Sequence, residues 1–338
     1  MSEITIIGLD LAKSVFHAVG SDEAGREVFR KRLRRSEVLE FFAQHPATVV
    51  VMEACGGSNY WARELMKLGH EVKLIPAQRV KAFLQGNKTD YLDARAMVEA
   101  ARQPSTRCVP VKTVGQQDIQ ALHRVREALI GRRTALCNQT RGLLAEYGIV
   151  LAKGVGTLRR AIPELLEDAE NGLSPVFREL LSSSYEQLRE LDGWLKANQR
   201  QLERLSEQNP GCRRLRQIPG YGPLLSSLFA AVVGDGRNYA RGRDASASVG
   251  VVPRQHSTGG REQLLGISKR GNRHLRTLLV HGARAVLMRA GEKDDRLSRW
   301  ANKVRERRGY NRAVVALANK LARIGWAVLR YEADYRPA

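Results

Sequence analysis

The sequence predicts a mixed α/β domain at its start, a long-helix segment in its middle and a mostly α-helical, strongly basic region at its end. Three observations carry that division. Strand-like and helix-like runs over residues 4–102 follow the order β-β-β-α-β-α-β-α, which suits a sheet whose later strands alternate with covering helices. From Phe177 to Leu205, core-type residues recur in alternating steps of four and three, the spacing of a coiled-coil seam. The 338 residues carry 56 Lys and Arg against 35 Asp and Glu, and residues 211–338 alone hold 26 basic and 9 acidic ones. The expected domains are therefore 1–113, 114–208 and 209–338.

Residues 4–10 (ITIIGLD) read as a buried strand ending in a carboxylate. Residues 14–20 and 26–33 read as two more strands, joined by the turn residues Ser21, Asp22 and Gly25. Ser36 is the expected cap of a short helix. Residues 48–53 (TVVVME) form a continuous apolar run, as at the centre of a sheet covered on both faces. A helix at 58–68, a strand at 71–75 and helices at 78–84 and 89–102 complete the domain.

A long amphipathic helix is expected over 114–147. The seam that follows runs Phe177, Leu181, Ser184, Leu188, Leu191, Leu195, Asn198, Leu202, Leu205. Self-association through this seam, as a dimer or tetramer, is the expectation; a helical hairpin within one chain, with 148–174 as its connection, is the alternative. Asn198 would then select register or oligomer. The Pro- and Gly-rich stretch 209–223 marks a boundary. Beyond it come a helix from 223, a strand at 249–253, a polar loop at 254–263, and helices near 272–290, 295–307 and 310–331.

The charge of the last 128 residues points to a polyanion, nucleic acid before membrane. No apolar run approaches the roughly 18 residues of a membrane span, and the start does not read as a signal peptide. Four dispersed cysteines without a C-x-x-C argue against a cysteine-built zinc site and a disulfide framework. A cytoplasmic, reduced setting follows.

Four carboxylates stand out. Asp10 ends the first strand, Glu53 ends the central apolar one, and Asp90 and Asp93 in KTDYLDAR share one face of a helix at i, i+3. Adjacent strands ending at one edge bring Asp10 and Glu53 together, and a docked helix adds the other pair. Such convergence needs a cation to offset mutual repulsion. Mg²⁺ is the expected ion, with Mn²⁺ as an alternative, because hard cations take oxygen ligands and keep waters that a phosphate can replace. Small residues in G-L-D and A-C-G-G leave room for a phosphate backbone. Taken singly, Asp90 competes with Thr89 for a helix-cap role.

GLDLAK on a first strand followed by a meander resembles the RNase H-like, RuvC-type fold. With KTDYLDARAM as the last element, the Asp–Glu–Asp–Asp order resembles the DEDD-type insertion-sequence transposases, described as bridge-RNA-guided recombinases. RLRQIPGYGP and VGVVPRQHSTGGREQLLGISKRGNRHLRTLL resemble that family's C-terminal transposase domain. The resemblance covers almost the whole chain. It implies that Asp10, Glu53, Asp90 and Asp93 hold the metal, that a C-terminal serine attacks DNA, and that donor and target DNA, a structured guide RNA and further copies of the chain are partners at the nucleoid.

The serine that matches best is Ser257, in QHSTGG. A loop serine beside two glycines is accessible to a phosphate, and a serine ester conserves bond energy for rejoining. Ser246, Ser248 and Ser268 are rivals, and His256 is a candidate base. Arg254 and Arg261 would neutralise phosphate charge. PGYGP would present backbone N–H groups to a phosphate, and Lys269, Arg270, Arg273 and Arg276, with His274, would bind phosphates at a helix start. The competing readings are a metal-dependent nuclease or junction resolvase that uses water, and a non-catalytic nucleic-acid binder.

Overall fold

The computed structural model describes residues 3–84 and 89–337. Lys88 of the KTDYLDAR string lies outside them. The chain forms two compact units, Met1–Thr113 and Val114–Ala338.

In the first unit, β1 (Ile6–Asp10), β2 (Val15–Ser21) and β3 (Glu27–Arg34) form the expected antiparallel meander. A short helix α1 (Val38–Ala43) precedes β4 (Val49–Glu53), and α2 (Ser58–Lys67) precedes β5 (Glu71–Ile75). Strands β4 and β5 continue the sheet in parallel with β1, giving the order β3-β2-β1-β4-β5. The unit closes with α3 (Ala77–Val80) and α4 (Asp90–Arg102).

The pleat sorts side chains between two apolar layers. Ile7, Leu9, Phe16, Ala18, Val50 and Met52 pack under α1 and α2 with Phe42, Trp61 and Leu65. Ile6, Val51 and Ile75 pack under α3 and α4 with Val80, Met97 and Val98. Period two then puts Asp10, His17 and Glu53 on the α4 face. Ser36 does not cap α1: the helix is entered through a 3-10 turn at Arg35–Glu37, where the Glu37 carboxylate accepts the Arg34 backbone N–H at 2.7 Å.

The second unit is helical apart from one hairpin. Helix α5 spans Val114–Ala145 and α7 spans Pro175–Gln208. Between them the expected connection carries a helix of its own, α6 (Val155–Glu167), whose Leu158 and Ile162 are buried. The heptad seam of α7 is filled from within the chain, as the hairpin alternative has it. Leu181 and Leu188 pack with Cys137 and Leu144 of α5 and with α6, and Leu202 packs with Ile119. These pairings run antiparallel. Asn198 donates to the Leu122 carbonyl at 3.2 Å, so this polar seam residue is bonded to the chain's own α5. Asp192 accepts from Arg133 at 2.9 Å and from Arg159, tying all three helices.

The stretch 209–223 contains α8 (Pro210–Arg216), with Cys212 and Leu215 fully buried, and runs into α9 (Pro223–Val233). Helix α10 (Gly242–Val249) was not expected from sequence. The strand anticipated at 249–253 is displaced: Gly250 ends α10 in a left-handed conformation (φ 80°), and the strands are β6 (Pro253–Gln255) and β7 (Leu264–Ile267), an antiparallel pair. Helices α11 (Arg273–Met288), α12 (Arg296–Arg308) and α13 (Tyr310–Arg330) follow, close to expectation. The core centres on α13, with Leu317, Ala318 and Leu321 against Leu279 and Phe229. Among the described residues no helix is long and apolar enough to cross a membrane.

Candidate metal centre

The centre is assembled by strand register and one helix. Parallel pairing joins Ile6 to Val49 and Gly8 to Val51, and the same register sets Asp10 beside Glu53, the last residue of each strand. Antiparallel pairing places His17 directly opposite Asp10.

Helix α4 crosses this edge because Gly8 has no side chain. A methyl group there would overlap the Ala94 carbonyl oxygen and lie 2.9 Å from Val98 Cγ2. The expectation that Gly8 leaves space for a phosphate is therefore corrected: the backbone of α4 fills that space. Gly56 and Gly57, after β4, do face open space.

Thr89 is the cap of α4, accepting the Leu92 N–H at 3.3 Å. Asp90 is thereby released from the capping role, and both it and Asp93 lie in the first turn. One ligand atom each of Asp10, His17 and Asp90 lies within 4.8 Å of the other two, a group that could hold a metal ion. His17 Nδ1 is 3.4 Å from Asp90 Oδ2, and its ring stands edge-on to Tyr91 at 4.7 Å between centroids. The carboxyl of Asp10 is pushed up to about 6, first by burial, then by the charges of Asp93 and Asp90, with Glu53 adding and His17 opposing. Of the four expected carboxylates, Asp10 and Asp90 belong to this group together with His17, while Asp93 and Glu53 act on Asp10 through their charge. Oxygen-rich, mutually repelling and partly buried, this donor set fits a hard divalent cation.

Residues 7–149 match the DEDD transposase domain of the IS110 type, and residues 212–299 match the group described as "Transposase IS116/IS110/IS902 family". The chain is 45% identical over 336 residues to the transposase for insertion sequence element IS1111A of Coxiella burnetii, covering 99% of this chain and 92% of that one. It is 46% identical over 332 residues to a probable family 20 transposase of Pseudomonas aeruginosa, covering 98% of each, and 41% identical over 330 residues to the transposase for IS1328 of Yersinia enterocolitica, covering 97% of each. The chain belongs to the IS116/IS110/IS902 transposase family.

This transposase is thus an enzyme acting on DNA, and its DEDD domain implies use of a divalent metal. The mixed sheet is consistent with an RNase H-like domain of that type. His17 had no motif to announce it. Its one sequence signal is its place seven residues after Asp10, across a short hairpin.

In the transposase's second unit, Ser257 sits exposed on the β6–β7 hairpin. Thr258 and Arg261 pair across a tight turn whose two central glycines, Gly259 (φ 54°) and Gly260 (φ 78°), both take left-handed conformations, as a type I′ turn requires. The Ser257 Oγ accepts from Gln255 Nε2 at 3.0 Å and from the Gln263 N–H at 3.3 Å. Ser246 is buried in α10 and donates to the Arg243 carbonyl. Ser248 donates to the Ala245 carbonyl at 2.7 Å, and Ser268 has a buried hydroxyl.

Arg254, Arg261, Lys269, Arg270 and Arg273 are exposed. Arg276 is engaged inside the fold, its Nη1 donating to the Val249 and Arg270 carbonyls at 2.9 and 2.8 Å. His274 Nδ1 lies 2.9 Å from Glu127 Oε1 of α5. The PGYGP turn is a packing device: a methyl at Gly220 would lie 2.7 Å from the Gly282 carbonyl oxygen, and buried Tyr221 donates to the Leu321 carbonyl at 3.0 Å.

Proposed function

We propose that this transposase cleaves and rejoins DNA through a covalent serine–phosphate intermediate, with Asp10, Glu53, Asp90 and Asp93 holding Mg²⁺ or Mn²⁺, and with a structured guide RNA choosing donor and target. The observation that carries the metal half is the grouping of Asp10, His17 and Asp90 ligand atoms within 4.8 Å, around a carboxyl raised by burial and then by neighbouring carboxylates. A cation held by these residues would supply neutralisation of phosphate charge.

Ser257 supplies the nucleophile. Its Oγ forms a bond to phosphorus as one phosphorus–oxygen bond of the strand breaks. The serine proton leaves to a base and the departing sugar oxygen gains one. No hydrolysis occurs, so the ester keeps the energy needed to rejoin strands. The hairpin supports this role by exposing the hydroxyl, whose oxygen accepts from Gln255 and from the Gln263 N–H, beside a turn with no side chains at Gly259 and Gly260. Exposed Arg254 and Arg261 flank it with positive charge, and Lys269, Arg270 and Arg273 extend that surface for phosphate contacts. RNA guidance rests on the family resemblance. The setting is the bacterial cytoplasm at the nucleoid, in an assembly of several copies.

Wild-type protein incubated with guide RNA, Mg²⁺ and target DNA should yield a protein–DNA ester that survives denaturation. Ser257→Ala should bind the same DNA within about twofold, because one hydroxyl adds little to many Lys and Arg contacts, and should yield no ester. No ester from the wild type, with continued cleavage by Ser257→Ala, would establish the water-using nuclease instead. An ester that persists in Ser257→Ala moves the nucleophile to another serine, identified by peptide mapping.

A further inference from the structure

Apart from the carboxylate centre and the Ser257 hairpin, the second unit holds a basic cavity of about 610 Å³ between α10 and α13. Its lining is Arg241, Arg243, Lys320 and Arg323 over a floor that includes Ile324 and Trp326. None of Arg254, Arg261, Lys269, Arg270 or Arg273 contributes to it. Three features make it unusual. Among the described residues none of the four cations has an ion-pair partner. The acid nearest in sequence, Asp244, is turned into the α10 cap, accepting the Arg241 backbone N–H at 3.2 Å. Lys320 is half-buried with its ammonium 4.4 Å from the centre of the Trp300 ring, and it is destabilised by burial and by Arg296 and Arg323.

Like charges gathered at a concave surface raise the stability cost of the empty state, and an anion relieves it. Past Lys320 lies a second depression of mixed charge, where Arg296 and Arg336 stand with the carboxylates Asp295 and Asp334, so the purely basic lining is confined to the α10–α13 cavity. Guanidinium forks suit phosphate oxygens, and the aromatic and aliphatic floor suits the sugar between them. Contacts to phosphate and sugar carry no sequence information directly.

We infer that the α10–α13 cavity is a sequence-independent binding site for the phosphodiester backbone of a nucleic acid. This inference needs no catalysis, so failure of the carboxylate or serine reading leaves it standing. The test titrates a labelled duplex of scrambled sequence, without divalent metal, across a salt series. The variant is Arg243→Gln with Arg323→Gln, both exposed, and the full chain is used throughout. The expected result is weaker binding with an unchanged circular dichroism spectrum. The slope of log K against log salt should become shallower by roughly 1.8, about 0.9 for each duplex phosphate that the variant no longer neutralises. If the double variant melts early, Arg243→Gln alone is read, with half that change. The same loss on an RNA hairpin supports backbone recognition of either polymer; a loss on one polymer alone supports the site and assigns it to that polymer. An unchanged slope on both overturns the inference. So does a melting-temperature rise with inorganic phosphate that only the wild type shows, while duplex binding is unaltered, since that marks a free-anion site.

Discussion

Asp10 and His17 face each other across the antiparallel pairing of β1 and β2, and both project to the side of the sheet on which α4 lies. Among the described residues that act on Asp10, the imidazole favours its charged form, while burial, Asp93, Asp90 and Glu53 oppose it. The centre is therefore built under electrostatic strain, with its repulsion only partly offset by the protein.

That strain gives a pH dependence with a definite sign. Asp10 is raised from 3.8 to about 6 in the fold, so between those values the folded state binds more protons than the unfolded one. Stability contributed by the neutral carboxyl is present below pH 4 and is lost as pH rises through 6. In a chelator, Asp10→Asn should melt higher than wild type at pH 7, and the difference should vanish as pH falls toward 4. Melting curves across pH check this; a difference that does not change with pH would show Asp10 to be unstrained.

Divalent cation should reverse the order. Mg²⁺ or Mn²⁺ binding to the folded state alone raises wild-type melting temperature by mass action. Asp10→Asn and Asp93→Asn should lose most of that rise and should abolish DNA cleavage while retaining nucleic-acid binding. Calorimetric titration with Mn²⁺ provides the readout independent of activity.

Gly8→Ala tests how α4 is held. The added methyl overlaps the Ala94 carbonyl oxygen, so α4 must shift or the sheet must bend. The expected cost is about 1–3 kcal/mol, accompanied by weaker Mn²⁺ binding because Asp90 and Asp93 move with the helix. Gly56→Ala, beside the same centre but facing open space, should leave stability within about 0.5 kcal/mol of wild type. Equal effects from both would mean that α4 does not depend on Gly8.

Where hydrophobic pattern dominates, the sequence was legible. β5 lies at Glu71–Ile75 as expected, and the strand-end positions of Asp10 and Glu53 follow from runs of buried residues whose register is set by the core. Helix α10 escaped notice because GRDASASV has small and polar residues where an apolar stripe would be. Helix α6 was hidden by Pro163 inside it and glycines around its start. The displaced strand at 249–253 has a similar cause: Val249 and Val251 are buried, but Gly250 between them takes a conformation no strand uses. His17 was invisible for a different reason. A histidine in an amphipathic strand carries no spacing signal, and only the hairpin register sets it against Asp10.

The seam of α7 shows how a periodic pattern leaves the partner open. Steps of four and three state that one face is buried, and they do not say against what. In this fold the partner is α5 of the same chain, and Asn198 bonds to the Leu122 carbonyl. Leu188 and Leu195 are nearly fully buried there, whereas Trp194 on the next position is 55% exposed. Leu188→Glu with Leu195→Glu should therefore destabilise the helical unit itself, by about 3–5 kcal/mol per buried charge, with loss of helical circular dichroism on mild heating. Trp194→Glu should leave the melting temperature close to wild type and, if the exposed side of α7 touches another copy, lower the mass measured by light scattering. The opposite pattern, a folded double variant of reduced mass, would mean that the leucine seam joins chains in solution and that α5 is only its partner in the isolated chain.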